Sequence, residues 1–184
     1  MADYPTEYEL DIVLRNGQVT QVRPIRKEDG DLLLDFFSRM GPESRYFRFF
    51  RVKRNLSAEE VSYFVNVDYD TRMALVVINE GRILAVGRYD VEKNGFAEVA
   101  FAVSDESQGL GMGTELLQLL TSYARSRGVV GFRAFVLPEN LQMMRVFRNS
   151  GFELHRTLEA GVYTVDFPVA LTDDAQAAAE EREK

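Results

Sequence analysis

Apolar and polar residues alternate over residues 9–14 and again over 19–23, and Asn16-Gly17 lies between the two runs. That pattern predicts a β-hairpin, ended by Pro24. The period then changes. Leucines and phenylalanines recur at helical spacing over 28–40, and Gly41-Pro42 stops them. Residues 42–50, rich in arginine and aromatics, read as a second short helix. Ser57-Ala58-Glu59-Glu60 has the form of a capping box, with Ser57 at N-cap and Glu60 at N3 of a helix to about Val65. Strand pattern resumes at 73–78, 83–89 and 96–103, where turns at 79–82 and 93–95 imply an antiparallel meander. Over 113–127 the face formed by Met112, Leu116, Leu119, Leu120 and Tyr123 predicts an amphipathic helix. Arg125 and Arg127 suit its negative end, and Gly128 its C-cap. A strand at 132–137, a helix with Pro138 in its first turn running to about Asn149, and closing strands at 152–155 and 161–167 complete the pattern.

These elements predict one α/β domain built round an antiparallel meander. Residues 1–19 form an N-terminal strand segment, 20–170 the domain, and 171–184 an acidic tail expected to be frayed or disordered. With 184 residues and 46% hydrophobic content, the chain can bury one good core. A net charge of −7 argues against a nucleic-acid partner, which needs a dense basic footprint. The chain lacks cysteine, so disulfides, a thiolate nucleophile and Cys-held metal are excluded. His155 is the only histidine, which removes a His-rich metal site; no metal is expected. No run is long and apolar enough for a membrane span, and the N-terminus lacks a basic-then-apolar leader. A soluble, cytoplasmic protein is the expectation.

The candidate chemistry lies between Phe96 and Thr114. An apolar strand with one acid, Glu98, leads to a loop with glycines at 109, 111 and 113 that opens a helix. Glycines let a backbone approach a ligand closely, and the unpaired N–H groups of a helix start suit phosphate. No Gly-Lys-Ser/Thr follows, so it is not a Walker loop; the glycine spacing also departs from the dinucleotide fingerprint. A plain strand-to-helix turn is the alternative. Glu98 is the only charge in a strand apolar on both faces, where desolvation would raise its pKa toward a useful base. A structural ion pair, for instance with Arg88, fits the same residues.

Gln108-x-x-Gly111-x-Gly113 between strand and helix resembles the acyl-CoA diphosphate loop of the GNAT acetyltransferase superfamily. Leu137-Pro138-Glu139-Asn140 and Asn149-Ser150-Gly151-Phe152 resemble its second half. Arg23-Pro24-Ile25-Arg26, the run Ser44 to Phe50, Val67-Asp68-Tyr69-Asp70 and Ala97-Glu98-Val99-Ala100-Phe101 resemble the catalytic domain of Pat-type protein lysine acetyltransferases. Coverage runs from about residue 20 to 167. The resemblance implies a single GNAT-type α/β domain, a mixed, mostly antiparallel sheet flanked by helices, with acetyl-CoA as co-substrate and Glu98 as general base. It implies cofactor contacts from Phe101, Ala102 and Val103, whose strand polarises the thioester oxygen through a backbone N–H. Gln108, Gly109, Leu110, Gly111, Met112, Gly113 and Thr114 would hold the diphosphate, with Asn140 on the pantetheine or diphosphate arm. It further implies a protein substrate, an acyl-CoA synthetase by family resemblance. Some relatives carry an added nucleotide-binding or synthetase-like domain, and regulation by cyclic nucleotide in cis is not expected in a chain of this length.

A base is needed because a lysine amine attacks only when neutral. With a pKa near ~10.4, neutrality at pH 7 costs about 4.6 kcal/mol. With no cysteine, direct attack without an acyl-enzyme is expected. No tyrosine clearly occupies a general-acid position; Tyr123 reads as packing, Tyr163 remains a candidate, and a thiol of pKa ~8.5 can leave unaided. Other residues keep two readings. Asn140 could instead make local helix-start bonds. Met143, Met144 and Phe147 could line the cofactor slot or pack the core. Asp68 and Tyr69 could shape the acceptor site or form a capped turn. His155 reads as structural. The segment 39–54, with six cations against Glu43, could grip an acidic protein partner or be a solvated face over buried aromatics. The competing functions are a small-amine (polyamine or aminoglycoside) acetyltransferase and a non-catalytic acyl-CoA sensor.

Overall fold

The computed structural model describes residues 2–169, so the expectations for 171–184 lie outside the described residues. The predicted hairpin forms from β1 (Leu10–Val13) and β2 (Val19–Pro24). A 3₁₀ turn at Lys27–Asp29 leads into α1 (Gly30–Arg39), followed by α2 (Pro42–Phe49) and α3 (Ala58–Val65). The capping box is present as read: Glu60 N–H donates to Ser57 Oγ, and Ser57 N–H donates to Glu60 Oε1, both at 3.1 Å. The meander is β3 (Arg72–Asn79), β4 (Arg82–Val91) and β5 (Phe96–Val103). Then come α4 (Met112–Ser126), β6 (Gly131–Val136), α5 (Leu141–Arg148), β7 (His155–Glu159) and β8 (Val162–Pro168).

Among the described residues all eight strands join one sheet in the order β1-β2-β3-β4-β5-β6-β8-β7. Every neighbour pair is antiparallel except β5–β6. This is the mixed, mostly antiparallel sheet flanked by helices that the resemblance implies. Alternation along the strands supplies two apolar faces. Leu75, Tyr89, Val99 and Phe101 meet Leu116 and Leu120 of α4 and Phe147 of α5 in the larger core. Ala74, Val76 and Val86 meet Leu33 and Phe36 of α1 and Val65 of α3 on the other face. The buried pair Arg23–Asp29 joins the end of β2 to the turn before α1, with two bonds at 2.7 and 2.8 Å. No helix among the described residues is long and apolar enough to cross a membrane.

Two predicted elements move. Pro138 precedes α5 instead of sitting in its first turn, because Asn140 caps the helix with its side chain on Met143 N–H at 3.2 Å. The strand expected at 152–155 lies at His155–Glu159, an edge strand exposed at every position, so it carries no apolar alternation to read.

Candidate active site

The site follows from how β5 pairs. Along β4 it is antiparallel from Ala97 to Val103, whereas β6 runs parallel to it only at Phe96, Ala97 and Glu98. Beyond Glu98 the two strands part. The edge of residues 99–103 on the β6 side has no strand partner and opens on a crevice of about 280 Å³. Phe101, Ala102 and Val103 line that crevice, as do Gln108 through Thr114 and Asn140. The structure thus brings every residue expected at the cofactor into one space.

Local geometry explains the loop. Gly109 and Gly111 have φ of +79° and +91°, a region that residues with a Cβ rarely adopt. Gly111 caps α4 without a side chain, and the first helical bond runs from Glu115 N–H to the Gly111 carbonyl. The N–H groups of Met112, Gly113 and Thr114 therefore have no acceptor inside the helix, and all three residues line the crevice. Asn140 makes the local helix-start bond, capping α5, and also lines the crevice. Met143 lines the crevice as well, while Met144 and Phe147 are buried in the core.

Glu98 corrects one expectation. Instead of being half-buried it is exposed, and it lines neither the crevice nor the smaller cavity. It lies on the strand face of Ala100 and Ala102, at the last register position shared with β6. The ion pair with Arg88 is absent: Arg88 sits opposite Ala100, buried against Tyr63 and Phe64. Opposite Glu98 stand Asp90, which binds Arg72 at 2.9 Å, and Arg133, which binds Asp166 at 2.8 and 3.0 Å. Glu98 is left without a hydrogen bond or ion pair among the described residues. Partial loss of hydration, then Glu92 and Asp90, raise its carboxyl above the ordinary carboxylate value, and Arg48 pulls the other way.

Two residues that the sequence does not flag complete the site. Arg15, just after β1, docks on the glycine loop: its N–H donates to Leu110 O at 3.1 Å and its Nη1 to Gly109 O at 3.3 Å. Arg15 and Arg145 both line the crevice. Asp105 accepts from Gly41 N–H at 3.0 Å and from Ser44 Oγ at 2.6 Å, tying the start of α2 to the loop before α4. Gln108 Nε2 joins this network on Ser44 Oγ at 3.2 Å.

The cations of segment 39–54 are mostly committed. Arg39 binds Asp35 and the Ile83 carbonyl, Arg45 binds the Phe37 carbonyl at the end of α1, and Lys53 pairs with Glu60. Arg48 stacks on Phe49 and Phe64, leaving Arg51 and Arg54 as the exposed pair. Asp68 caps a turn, accepting from Asp70 N–H, Arg72 N–H and Thr71 Oγ1, and Tyr69 Oη donates to the Ile25 carbonyl. Tyr123 is buried with its hydroxyl on the Tyr69 carbonyl. Tyr163 lies under Arg156 on β8, and His155 is exposed at the start of β7. Among the described residues no tyrosine lines the crevice.

The residues present fit a coenzyme A thioester. Open helix N–H groups and two arginines suit the diphosphate, and an unpaired strand edge suits an amide-bearing arm ending in a polarised carbonyl. Comparison with known proteins points the same way. The family model for the acetyltransferase (GNAT) domain matches residues 20–153. Acetyltransferase PA5475 of Pseudomonas aeruginosa is 31% identical over 120 residues, 62% of this chain and 64% of its own length. Acetyltransferase Pat of Mycolicibacterium smegmatis is 31% identical over 144 residues, 76% of this chain and 43% of its own. The chain thus spans less than two thirds of either relative. Among solved structures, the GNAT domain of S. lividans PAT superposes with a TM-score of 0.85 at 38% identity, covering 90% of this chain and 99% of that one. A cAMP-binding acyltransferase from Mycobacterium smegmatis gives 0.63 at 26% identity, covering 91% of this chain and 49% of its own.

Proposed function

The chain belongs to the GNAT acetyltransferase family, and from that premise we propose that it transfers an acetyl group from acetyl-CoA to the ε-amine of a protein lysine, with Glu98 as general base. The observation that carries the reading is the parting of β5 from β6 at Glu98. One strand then offers a free edge to the thioester and, at the fork, an acid without a partner. Met112, Gly113 and Thr114 hold the diphosphate through their N–H groups, helped by Arg15 and Arg145. The strand edge at Phe101 to Val103 donates an N–H to the developing oxyanion, and Asn140 and Met143 flank the arm. When bound, the co-substrate supplies the activated carbonyl.

Glu98 takes the proton that the amine loses, directly or through one water, as the nitrogen attacks. The raised carboxyl helps, since a base stronger than an ordinary carboxylate takes that proton more readily. No cysteine is available to carry an acyl group, so attack is direct. The exposed position of Glu98 favours an acceptor that presents its amine from a larger surface, and the Pat-type relatives make an acyl-CoA synthetase the first candidate. Asp90 and Glu92 near Glu98 favour a second reading, a small polyamine drawn by the acidic surroundings. Incubating the protein with labelled acetyl-CoA and a lysate of its own cells decides between them. Label on a lysine of one or a few proteins supports the first reading, and label confined to small amines overturns it.

A further inference from the structure

Behind the cofactor crevice lies a second cavity of about 40 Å³, walled by Leu33, Phe36, Phe37 and Phe64 and by Ala100 and Ala102 of β5. Met40, Arg48 and Ala102 line both spaces, so the two meet at Arg48 beside the strand edge that receives the thioester. Two guanidinium groups stand there with no carboxylate in hydrogen-bond or ion-pair contact; Glu98 and Asp90 act on Arg48, and Asp90 on Arg88, only through their charge. Arg48 makes no hydrogen bond or ion pair among the described residues and is held by Phe49 and Phe64, 5.0 and 5.9 Å from the ring centroids. Arg88, only 5% exposed, lies 4.6 Å from the Phe64 centroid. It offers one long bond, Nη1 to the Phe64 carbonyl at 3.4 Å, and its Nε and Nη2 have no partner. Burial pushes both arginines down, Arg88 to about 10, which leaves Arg88 a cation at neutral pH. Asp90, the carboxylate across the sheet, is engaged by Arg72.

Two cations beside one ring, one with two orphan donors, are costly unless an anion completes them. The planar fork of a guanidinium fits a carboxylate. We infer that Arg48, backed by Arg88, receives the distal carboxylate of a short dicarboxylic acyl group, malonyl or succinyl, that enters the second cavity from the thioester. The inference rests on the acyl-donor reading above. At ~10–15 Å³ per water-sized group the cavity has room for roughly three, close to what such a carboxylate adds to an acetyl group. The acyl side is chosen over the acceptor side because the cavity opens off the crevice at Ala102, whereas Glu98, where the amine gives up its proton, lines neither space.

The transfer itself is unchanged. The acceptor nitrogen forms a bond to the thioester carbon and the C–S bond breaks, its electron pair leaving with sulfur. Glu98 takes the nitrogen's proton and passes it to solvent, and the thiolate takes one back. The distal carboxylate stays intact, so an acylated lysine goes from one positive charge to one negative.

Calorimetric titration of the full chain with acetyl-, butyryl- and succinyl-CoA tests this. Succinyl-CoA should bind about tenfold tighter than butyryl-CoA, its uncharged four-carbon match, which is the order of one charge-assisted hydrogen bond. Arg48→Met and Arg88→Met should each bring that ratio to within about twofold, with Arg48→Lys between. The ratio is internal to each protein, so a general loss of thioester affinity cancels; should Arg88→Met fail to fold, the half-buried Arg48 position carries the test. A wild-type ratio near one, or a ratio that survives both Met variants, overturns the inference. So does a rise in KM confined to amine acceptors that carry a carboxylate, which would place the anion on the acceptor. Acetyl-CoA binding without a succinyl preference sinks this inference alone; binding of no thioester sinks the acyl-donor reading with it.

Discussion

Replacing Glu98 by Gln should move activity and stability in opposite directions. In the folded chain Glu98 has no hydrogen bond or ion pair among the described residues to lose, and it faces Asp90 across β4 with Glu92 nearby. Removing its charge relieves like-charge repulsion, a gain of up to ~0.5 kcal/mol at an exposed strand pair. A positioned base is worth about 10²–10⁴ in rate, or about 2.7–5.5 kcal/mol of barrier. The variant should therefore lose most of its kcat, bind acetyl-CoA as before, and melt at the same temperature or slightly higher.

The pH dependence follows from the raised carboxyl. The native state keeps this proton to higher pH than the unfolded chain does. The resulting destabilisation is absent in acid, grows as pH rises through the unfolded value of 4.5, and is complete above the folded one. The stability gain of the Gln variant should appear only on the neutral side of that window. In the wild type, kcat/KM should climb with pH on a limb whose midpoint lies above 4.5, and the variant should lack that limb. Matched melts and acetyl-transfer assays across pH read both quantities. Full turnover with a lowered Tm would show Glu98 to be a structural charge, and a wild type that binds acetyl-CoA with no turnover on any amine would make the chain a sensor.

Three further substitutions probe the frame. Gly111→Ala puts a Cβ on a residue at φ +91° and 3.4 Å from Arg15 Nε; it should cost about 1–2 kcal/mol of stability and weaken acetyl-CoA binding, read by melting and calorimetry. Asp105→Ala removes the acceptor for Gly41 N–H and Ser44 Oγ and should lower Tm by roughly 2–4 °C, for a loss of about 1 kcal/mol; an unchanged Tm refutes the tie. Asp29→Ala strands a buried Arg23 and should cost about 3–5 kcal/mol, whereas Arg23→Met combined with Asp29→Ala should recover much of it in denaturant unfolding.

What was legible in the sequence was local. The Asn16-Gly17 hairpin and the Ser57/Glu60 box close within a few residues, so neighbouring side chains suffice to specify them. The glycine loop was readable for the same reason. Pro138 misled because a proline suits the turn before a helix as well as its first position, and Asn140 offers the better cap. Arg15 and Asp105 reach partners 94 and 61–64 residues away, which no local pattern announces. Segment 39–54 kept two readings because the Ile83 carbonyl that binds Arg39 and the Phe64 ring beside Arg48 come from elsewhere in the fold, although Asp35 and the end of α1 lie close in sequence.

The chemistry depends on where a parallel contact stops. Had β6 followed β5 for its whole length, the peptide groups of residues 99–103 would be used up in a ladder and no thioester could reach them. The three-residue contact that remains holds the sheet together and ends at the acid. Extending it should therefore abolish thioester binding without unfolding the protein, whereas losing it should open the larger core around Phe132. The same geometry explains why Glu98 is exposed: a base at the fork must meet an amine that arrives from outside the crevice, and a helix covering it would protect the charge and block the acceptor.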